Sequence, residues 1–333
     1  MEDTRRLLLL RWLTAQCSDE SIDLIAMSGD AGFRRYFRFT TNNQSFIAVD
    51  SPPDKCNNEA FEFIQQRFLA AELCVPEIHA YEQQQGFFWL ADLGDDLLAD
   101  QLNESNMQLC YQQAISLLPR ISQLPTQGLP VYDQAFVQLE LSIFTEWLLE
   151  YHLDIHISVT DKQQLQACFD LLIANALEQP QVVMHRDFHS RNLMRVDDQL
   201  AVIDFQDAVV GPITYDIVSL LRDCYIKWPN EKVMLLLQEY IAVMNQQLSL
   251  KAYSQEQWQR WFDLMGLQRH IKASGIFARL HHRDGKSGYL ADIPLTLSYI
   301  VDISANYSEL SFLHDLVKIK VMPKMMAKKE HSN

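Results

Sequence analysis

Residues 182–205 read VVMHRDFHSRNLMRVDDQLAVIDF. Two short apolar, β-branched runs, VVM and LAVIDF, enclose a polar loop and a third short run, LMRV, so the stretch predicts a strand–loop–hairpin. Asp187 stands five residues before Asn192, and Asp204 follows twelve residues later at the end of an apolar strand. Phosphoryl transfer asks little covalent chemistry of a protein. It needs an acceptor hydroxyl aligned, its proton accepted, and the phosphate charge neutralised by a hard cation held on oxygen ligands. Asp187 is therefore the candidate catalytic base, and the Asn192 amide oxygen and Asp204 carboxylate are the candidate Mg2+ ligands. The joint order of the three is a specific signal, which an isolated glycine-rich loop is not.

Working outward, FRRYFRF (33–39) and QSFIAVD (44–50) are short and rich in aromatic or β-branched residues, with TTNN supplying turn chemistry between them. They predict a hairpin. Residues 57–73 carry Ala60, Phe61, Ile64, Phe68 and Leu69 at helical spacing, with Asn57 or Asn58 as N-cap. VPEIHAY (75–81) and GFFWLADL (86–93) read as two more strands. The first ninety residues thus predict a small α+β unit with a mostly antiparallel sheet. Beyond Asp92 the pattern turns helical, at about 105–122, 134–152 and 161–178, and again after the central strands to about residue 317. The lysines from 318 to 329 predict a frayed, solvated tail.

The chain has 333 residues, 48% of them hydrophobic, enough for a substantial core. Its formal charge of −15 argues against a nucleic-acid partner, which requires a basic surface. The opening apolar run, Leu7 to Leu10, is cut by Arg11, so an amphipathic first helix is expected rather than a signal peptide, and no stretch reaches the ~20 apolar residues that span a bilayer. Six cysteines without a C-x-x-C pair support neither a zinc site nor a disulfide framework. A cytoplasmic protein with no membrane and no obligate protein partner is the expectation.

With these residues in view, the chain resembles the aminoglycoside phosphotransferase and choline kinase superfamily. Between Asp204 and GPITYD (211–216) there is no room for the activation segment on which protein kinases seat a peptide, so a small acceptor is implied. MSGDAGFRRYFRF (27–39), LADLGDD (90–96), HRDFHSRNLM (185–194), IDFQDAVVGPITYDIVSLLRD (203–223) and HHRDGKSGYLADIP (281–294) further resemble the bacterial anomeric N-acetylmuramate/N-acetylglucosamine kinases. The resemblance implies a bilobal protein-kinase-like fold, with an N-lobe over residues 1–91 that binds nucleotide and a mainly helical C-lobe over 92–333 that carries the catalytic loop and the acceptor. It implies ATP and Mg2+ as cofactors, an amino sugar as the small-molecule partner, phosphorylation of the C1 hydroxyl, and a place in cell-wall recycling. Ala91 and Leu93 would form the hinge whose backbone groups meet the adenine, and Asp216 would brace the catalytic loop. Another small acceptor, such as an aminoglycoside or choline, and a non-catalytic module stay open as alternatives.

One departure stands out. Protein kinases pair the phosphates with a lysine from the third strand, whereas FIAVD ends in Asp50. Arg34 and Arg35 are the candidate replacements, since guanidinium suits phosphate, with Lys55 a further possibility. On a strand, Arg34, Tyr36 and Arg38 share one face and Arg35 lies with the phenylalanines. A second HRD, His282 to Asp284, is followed at the fifth position by Tyr289 and is not a catalytic loop. Arg269, Lys272, Arg279 and Arg283 recur at helical spacing as a basic stripe, suited either to solvent or to an acidic acceptor. Arg222, Asp223 and Arg283 are the candidate acceptor contacts.

Overall fold

The structure is a computed structural model and describes residues 3–27, 32–250 and 253–331. The chain forms two compact units, one of Met1–Leu102 with Arg191–Asp207 and the other of Asn103–Ser190 with Ala208–Asn333. Residues 28–31 of the SGDAGF segment lie outside the described residues.

The first unit is built on a five-stranded sheet, in the order β1 (Ile25–Ala26), β2 (Arg35–Thr41), β3 (Gln44–Asp50), β5 (Phe87–Ala91), β4 (Ile78–Glu82), with every described pairing antiparallel. The β2–β3 turn places Asn42 and Asn43 at φ 51° and 60°. Two successive left-handed residues match the twist of a tight hairpin, and asparagine tolerates that region better than most side chains. Strand alternation then sorts the side chains. Phe37, Phe39, Ala48 and Phe87 pack with Leu9 and Leu13 of α1 (Thr4–Cys17) on one face. On the other, Phe88 meets Phe61 of α2 (Asn58–Ala70), a helix capped by the Asn57 side chain, which accepts the Ala60 N–H at 3.0 Å.

The hairpin of β7 (Leu193–Val196) and β8 (Gln199–Val202) belongs to this unit despite its distance in sequence. The Val202 N–H donates to the Cys74 carbonyl and the Arg195 N–H to the Asp96 carbonyl, both at 2.8 Å. Compactness therefore divides the chain differently from a cut after residue 91: these backbone bonds carry residues 191–207 with the sheet, and the first stretch runs on to Leu102.

The second unit is mainly helical. The helices that matter to its chemistry are α3 (Gln134–Ile143), which continues as a π-helix over Phe144–His152, then α4 (Val159–Glu178), α5 (Tyr215–Leu221), α6 (Asn230–Leu248), α7 (Gln255–Asp284) and α8 (Ile293–Ser304). α7 is buried on nearly all sides along its middle. A Cβ at Gly275 would lie 2.6 Å from the Phe144 nitrogen, so only glycine permits this close approach of α7 to the end of α3. β6 (Gln181–Met184) pairs with β9 (Val209–Pro212), a strand that the sequence reading passed over, as it did β1. The basic tail is corrected as well. It is helical to His331, and Lys324 Nζ donates to the Asp154 carbonyl at 2.8 Å, so its lysines anchor it rather than fray it. Among the described residues no helix is long and apolar enough to cross a membrane.

Candidate active site

In the first unit a cavity of about 480 Å³ opens on the α2 side of the sheet. Tyr36, Ile47 and Leu90 line it from the strands, Ala91 and Leu93 from the segment after β5, and Asn192 and Asp204 from the two legs of the β7–β8 hairpin. The hairpin explains why the last two meet. Leu193 pairs with Val202, and just beyond that pair the Ile203 N–H donates to the Asn192 carbonyl at 3.1 Å. Phe205 is buried against Phe61 and Phe68 of α2, with ring centroids 5.1 and 5.4 Å away. That anchor, with Asp204 itself at φ 63°, turns the aspartate out to the cavity, where Gln206 Nε2 donates to it at 2.8 Å. A left-handed φ on a non-glycine residue costs energy and is held only where its surroundings over-determine it. The donor set is hard oxygen, carboxylate and carboxamide, which fits Mg2+. The Ala91 N–H donates to the Glu77 carbonyl at 2.9 Å, so that donor is committed within the unit.

Arg38 shapes this segment, a role the sequence reading did not give it. Its guanidinium donates to Asp92 at 2.7 Å and Asp95 at 2.8 Å, and Asp92 in turn accepts the Gly94 N–H and the Ser45 hydroxyl. These bonds raise the Arg38 pKa further above its ordinary value. The only hint in sequence was an arginine on the cavity face of β2 with LADLGDD downstream.

The opposite face of the sheet explains Asp50. Asp50 is fully buried, pairs in register with Arg35, and accepts Arg5 Nε of α1 at 2.7 Å and Arg35 Nε at 2.9 Å. Arg35 also binds Asp3. Ile47 faces the cavity, and Asp50, three residues on, faces α1. The expectation that Arg35 meets a nucleotide is thereby corrected: its charge is committed to Asp50 and Asp3 beneath the other face. Arg34 reaches toward the α2 side. Its guanidinium lies 5.4 Å from the ring centre of Phe61, a cavity-lining residue, and donates to the Ser51 hydroxyl at 3.1 Å and the Asn57 carbonyl at 3.2 Å.

In the second unit Asp187 sits on a loop that is clamped from below. Asp216, at the start of α5, accepts the His185 N–H at 2.7 Å on one oxygen and the Arg186 N–H at 2.9 Å on the other. Burial pushes its carboxyl up to about 7, against the pull of those two donors. The loop's far end is tied to Asp223, which accepts the Ser190 hydroxyl at 2.6 Å. Burial disfavours the charged form of Asp187, but Lys272, Arg186, His189 and Arg269 outweigh it and hold the carboxyl well below its ordinary value.

The remaining sequence candidates separate. Asp223 is buried as the loop anchor just described. Arg222 is buried too, donates to Asp263 at 2.6 Å, and lies 4.3 Å from the Phe262 ring centre. Arg283 is exposed and forks onto the neighbouring Asp284 at 2.8 and 2.9 Å. The basic stripe therefore breaks in two, because α7 passes through the core: Arg269 and Lys272 are buried beside the Asp187 loop, and Arg283 emerges at the surface. Arg269 Nε and one Nη have no hydrogen-bond partner among the described residues, while its guanidinium lies 5.3 Å from the Tyr215 ring centre. Glu140 of α3 was missed. It stands three residues after Val137 and four before Phe144, inside the apolar stripe of its helix, and an acid at such a position is a legible sign of a buried charge.

Comparison with known proteins bears on this arrangement. The family described as phosphotransferase enzyme family matches residues 23–264. A protein of Pseudomonas putida named N-acetylmuramate/N-acetylglucosamine kinase is 38% identical over 327 residues, covering 95% of this chain and 96% of the relative. A protein of the same name from Neisseria meningitidis is 35% identical over 319 residues, 94% and 95% of the two chains. Among solved structures, an ethanolamine kinase of Plasmodium vivax superposes with a TM-score of 0.66 over 90% of this chain and 87% of its own, at 10% identity. That last likeness speaks to the fold.

Proposed function

We propose, given that this chain belongs to the phosphotransferase enzyme family, that it transfers the γ-phosphoryl group of ATP to the anomeric C1 hydroxyl of N-acetylmuramate and N-acetylglucosamine. The acceptor comes from the relatives' names and near-complete coverage. The observation that carries the transfer chemistry is a carboxylate, Asp187, on a loop braced by Asp216 and Asp223, on the stretch of chain whose next residues bring Asn192 and Asp204 to one cavity.

The cavity residues take the nucleotide, with Leu93 meeting the base and Arg34 the phosphates in place of a strand lysine. Asn192 and Asp204 hold Mg2+, which supplies charge neutralisation on the phosphates. Asp187 accepts a hydrogen bond from the acceptor hydroxyl, which points the oxygen at phosphorus. Asp187 takes the proton as the new O–P bond makes the hydroxyl acidic, in keeping with a loose transition state. Arg269, buried with two unpartnered nitrogens near Asp187, suits a carbonyl or carboxylate of the acceptor. The first unit would then serve the nucleotide and Mg2+, and the second the acceptor. A cell-wall recycling step fits this chemistry, in the cytoplasm, where ATP is supplied and the six unbridged cysteines stay reduced.

The test is ATP- and Mg2+-dependent phosphorylation of N-acetylmuramate and N-acetylglucosamine beside kanamycin and choline, with phosphorus NMR locating the product phosphate. A C1 phosphate on the amino sugars is expected. Transfer to kanamycin or choline alone would discard the sugar.

A further inference from the structure

Glu140 is 4% exposed, and burying a carboxylate is expensive unless every lone pair is used. Here both oxygens are saturated. One accepts Arg186 Nη2 at 2.7 Å and forms an ion pair with Lys272 Nζ at 3.1 Å; the other accepts the Tyr132 hydroxyl at 2.5 Å and Gln268 Nε2 at 2.9 Å. Two of these partners lead directly to the reacting group. Arg186 is the residue before Asp187, and its backbone sits at φ 78°, a region that a non-glycine residue enters only under constraint. Its N–H is held by Asp216, its carbonyl accepts the Ser219 hydroxyl at 3.2 Å, and its side chain, over the Phe136 ring at 4.9 Å, ends on Glu140. Lys272 joins the same carboxylate to the Tyr215 hydroxyl of α5 at 3.1 Å.

We propose that Glu140 is a positioning residue for the transfer: a permanent anion in the core that holds Arg186 in its strained conformation and so sets the direction of the Asp187 carboxylate. Loops that are switched on by phosphorylation acquire an arginine-pairing charge when it is needed. In this chain the fold carries that charge itself, so the catalytic loop is ordered without any modification. Lys272, shared between Glu140 and Tyr215, ties α3, α5 and α7 to the same point. The two cations Glu140 gathers are also among those that keep Asp187 ionised. The inference rests on Asp187 being the group that meets the acceptor.

Two measurements on Glu140→Gln, read together, decide it. Hydrogen–deuterium exchange reports the loop whether or not the acceptor has been identified, and steady-state kinetics reports its consequence. Faster exchange confined to residues 183–190 is expected, with kcat lowered by about 10²-fold, the effect of misplacing a reacting group by about an ångström, and KM for ATP within twofold of wild type. Glu140→Asp keeps the charge one methylene short, and both readouts should fall between the two. Unchanged exchange in the loop overturns the proposal, as does faster exchange throughout the second unit, which would make Glu140 a stability residue only. If the wild type phosphorylates no acceptor, the proposed function fails on that result, while the exchange comparison still decides the role of Glu140.

Discussion

Asp50→Lys would install, at the end of β3, the lysine that a kinase-like sheet leads one to expect, and the structure says it would fail. β3 alternates, so Asp50 shares a face with Ala48 in the core beneath α1, and Ile47 shares the other with the cavity. The Asp50 side chain is 0% exposed and binds Arg5 and Arg35, whose side chains are 35% and 40% exposed. Removing one member of a buried pair costs about 3–5 kcal/mol. Because both arginines can reach water, Asp50→Asn belongs at the low end, about 3 kcal/mol. Lysine adds a third cation at the same spot; each contact at 4 Å is worth about 4 kcal/mol at an effective dielectric of 20, less whatever its flexible stem relieves. At roughly 2 °C per kcal/mol for a chain of this size, Asn lowers Tm by about 6 °C and Lys by about 10 °C or more. Thermal melting and calorimetric titration with ATP read the two halves of the argument. Asp50→Lys should melt early and bind ATP no more tightly than wild type. A lysine variant with an unshifted Tm and tighter ATP binding would refute the assignment of faces.

Arg34→Met should raise KM for ATP about tenfold at nearly constant Tm, whereas Arg35→Met should lower Tm and leave KM alone; steady-state kinetics beside melting separates the two arginines. Asp187→Asn should lower kcat by about 10²–10⁴-fold, the range for general-base groups, with little change in KM for ATP. Asp204→Ala should raise the Mg2+ concentration for half-maximal rate at least tenfold in a metal titration. His270 is fully buried, its Nε2–H donating to the Arg222 carbonyl at 2.9 Å, and burial lowers its pKa from 6.5 to about 3, so it folds neutral. The unfolded state therefore takes up the proton first: the stability is present above about pH 6.5 and is lost as pH falls toward 3, by about 3 kcal/mol at pH 4.5. His152, lowered to about 4 by burial and by Lys328 and its histidine neighbours, adds to the same loss. Denaturant titrations at pH 7 and 4.5 should show a smaller drop for His270→Asn than for wild type, and an equal drop would refute the neutral assignment.

The sheet of the first unit was legible because its signals are local. Asn42–Asn43 marks a turn, alternation marks faces, and Asn57 marks a helix start, each decided within a few residues. β1 and β9 were not legible. β1 has two residues, too few for any period, and β9, VVGP, is a strand only because β6 lies beside it; in sequence it reads as the approach to a turn. The kinship of residues 191–207 with the first ninety depends on backbone bonds to Cys74 and Asp96, which no pattern in either segment announces.

Sequence reading singled out Asp187, Asn192 and Asp204 but not the groups packed around them, and the basic stripe shows why. The spacing of Arg269 and Lys272 places them on one side of a helix, but spacing assigns a face to solvent only when the opposite face is apolar. α7 is enclosed along its middle, so both sides are interior and the usual inference from charge to surface inverts. A buried cation needs an anion, and the chain provides them singly and far apart in sequence: Glu140 for Lys272 and Arg186, and Asp263 for Arg222. Net charge conceals this sorting. A chain of −15 gathers Arg186, Arg269 and Lys272 around the Asp187 carboxylate, and the local field there is set by those neighbours, not by the net charge.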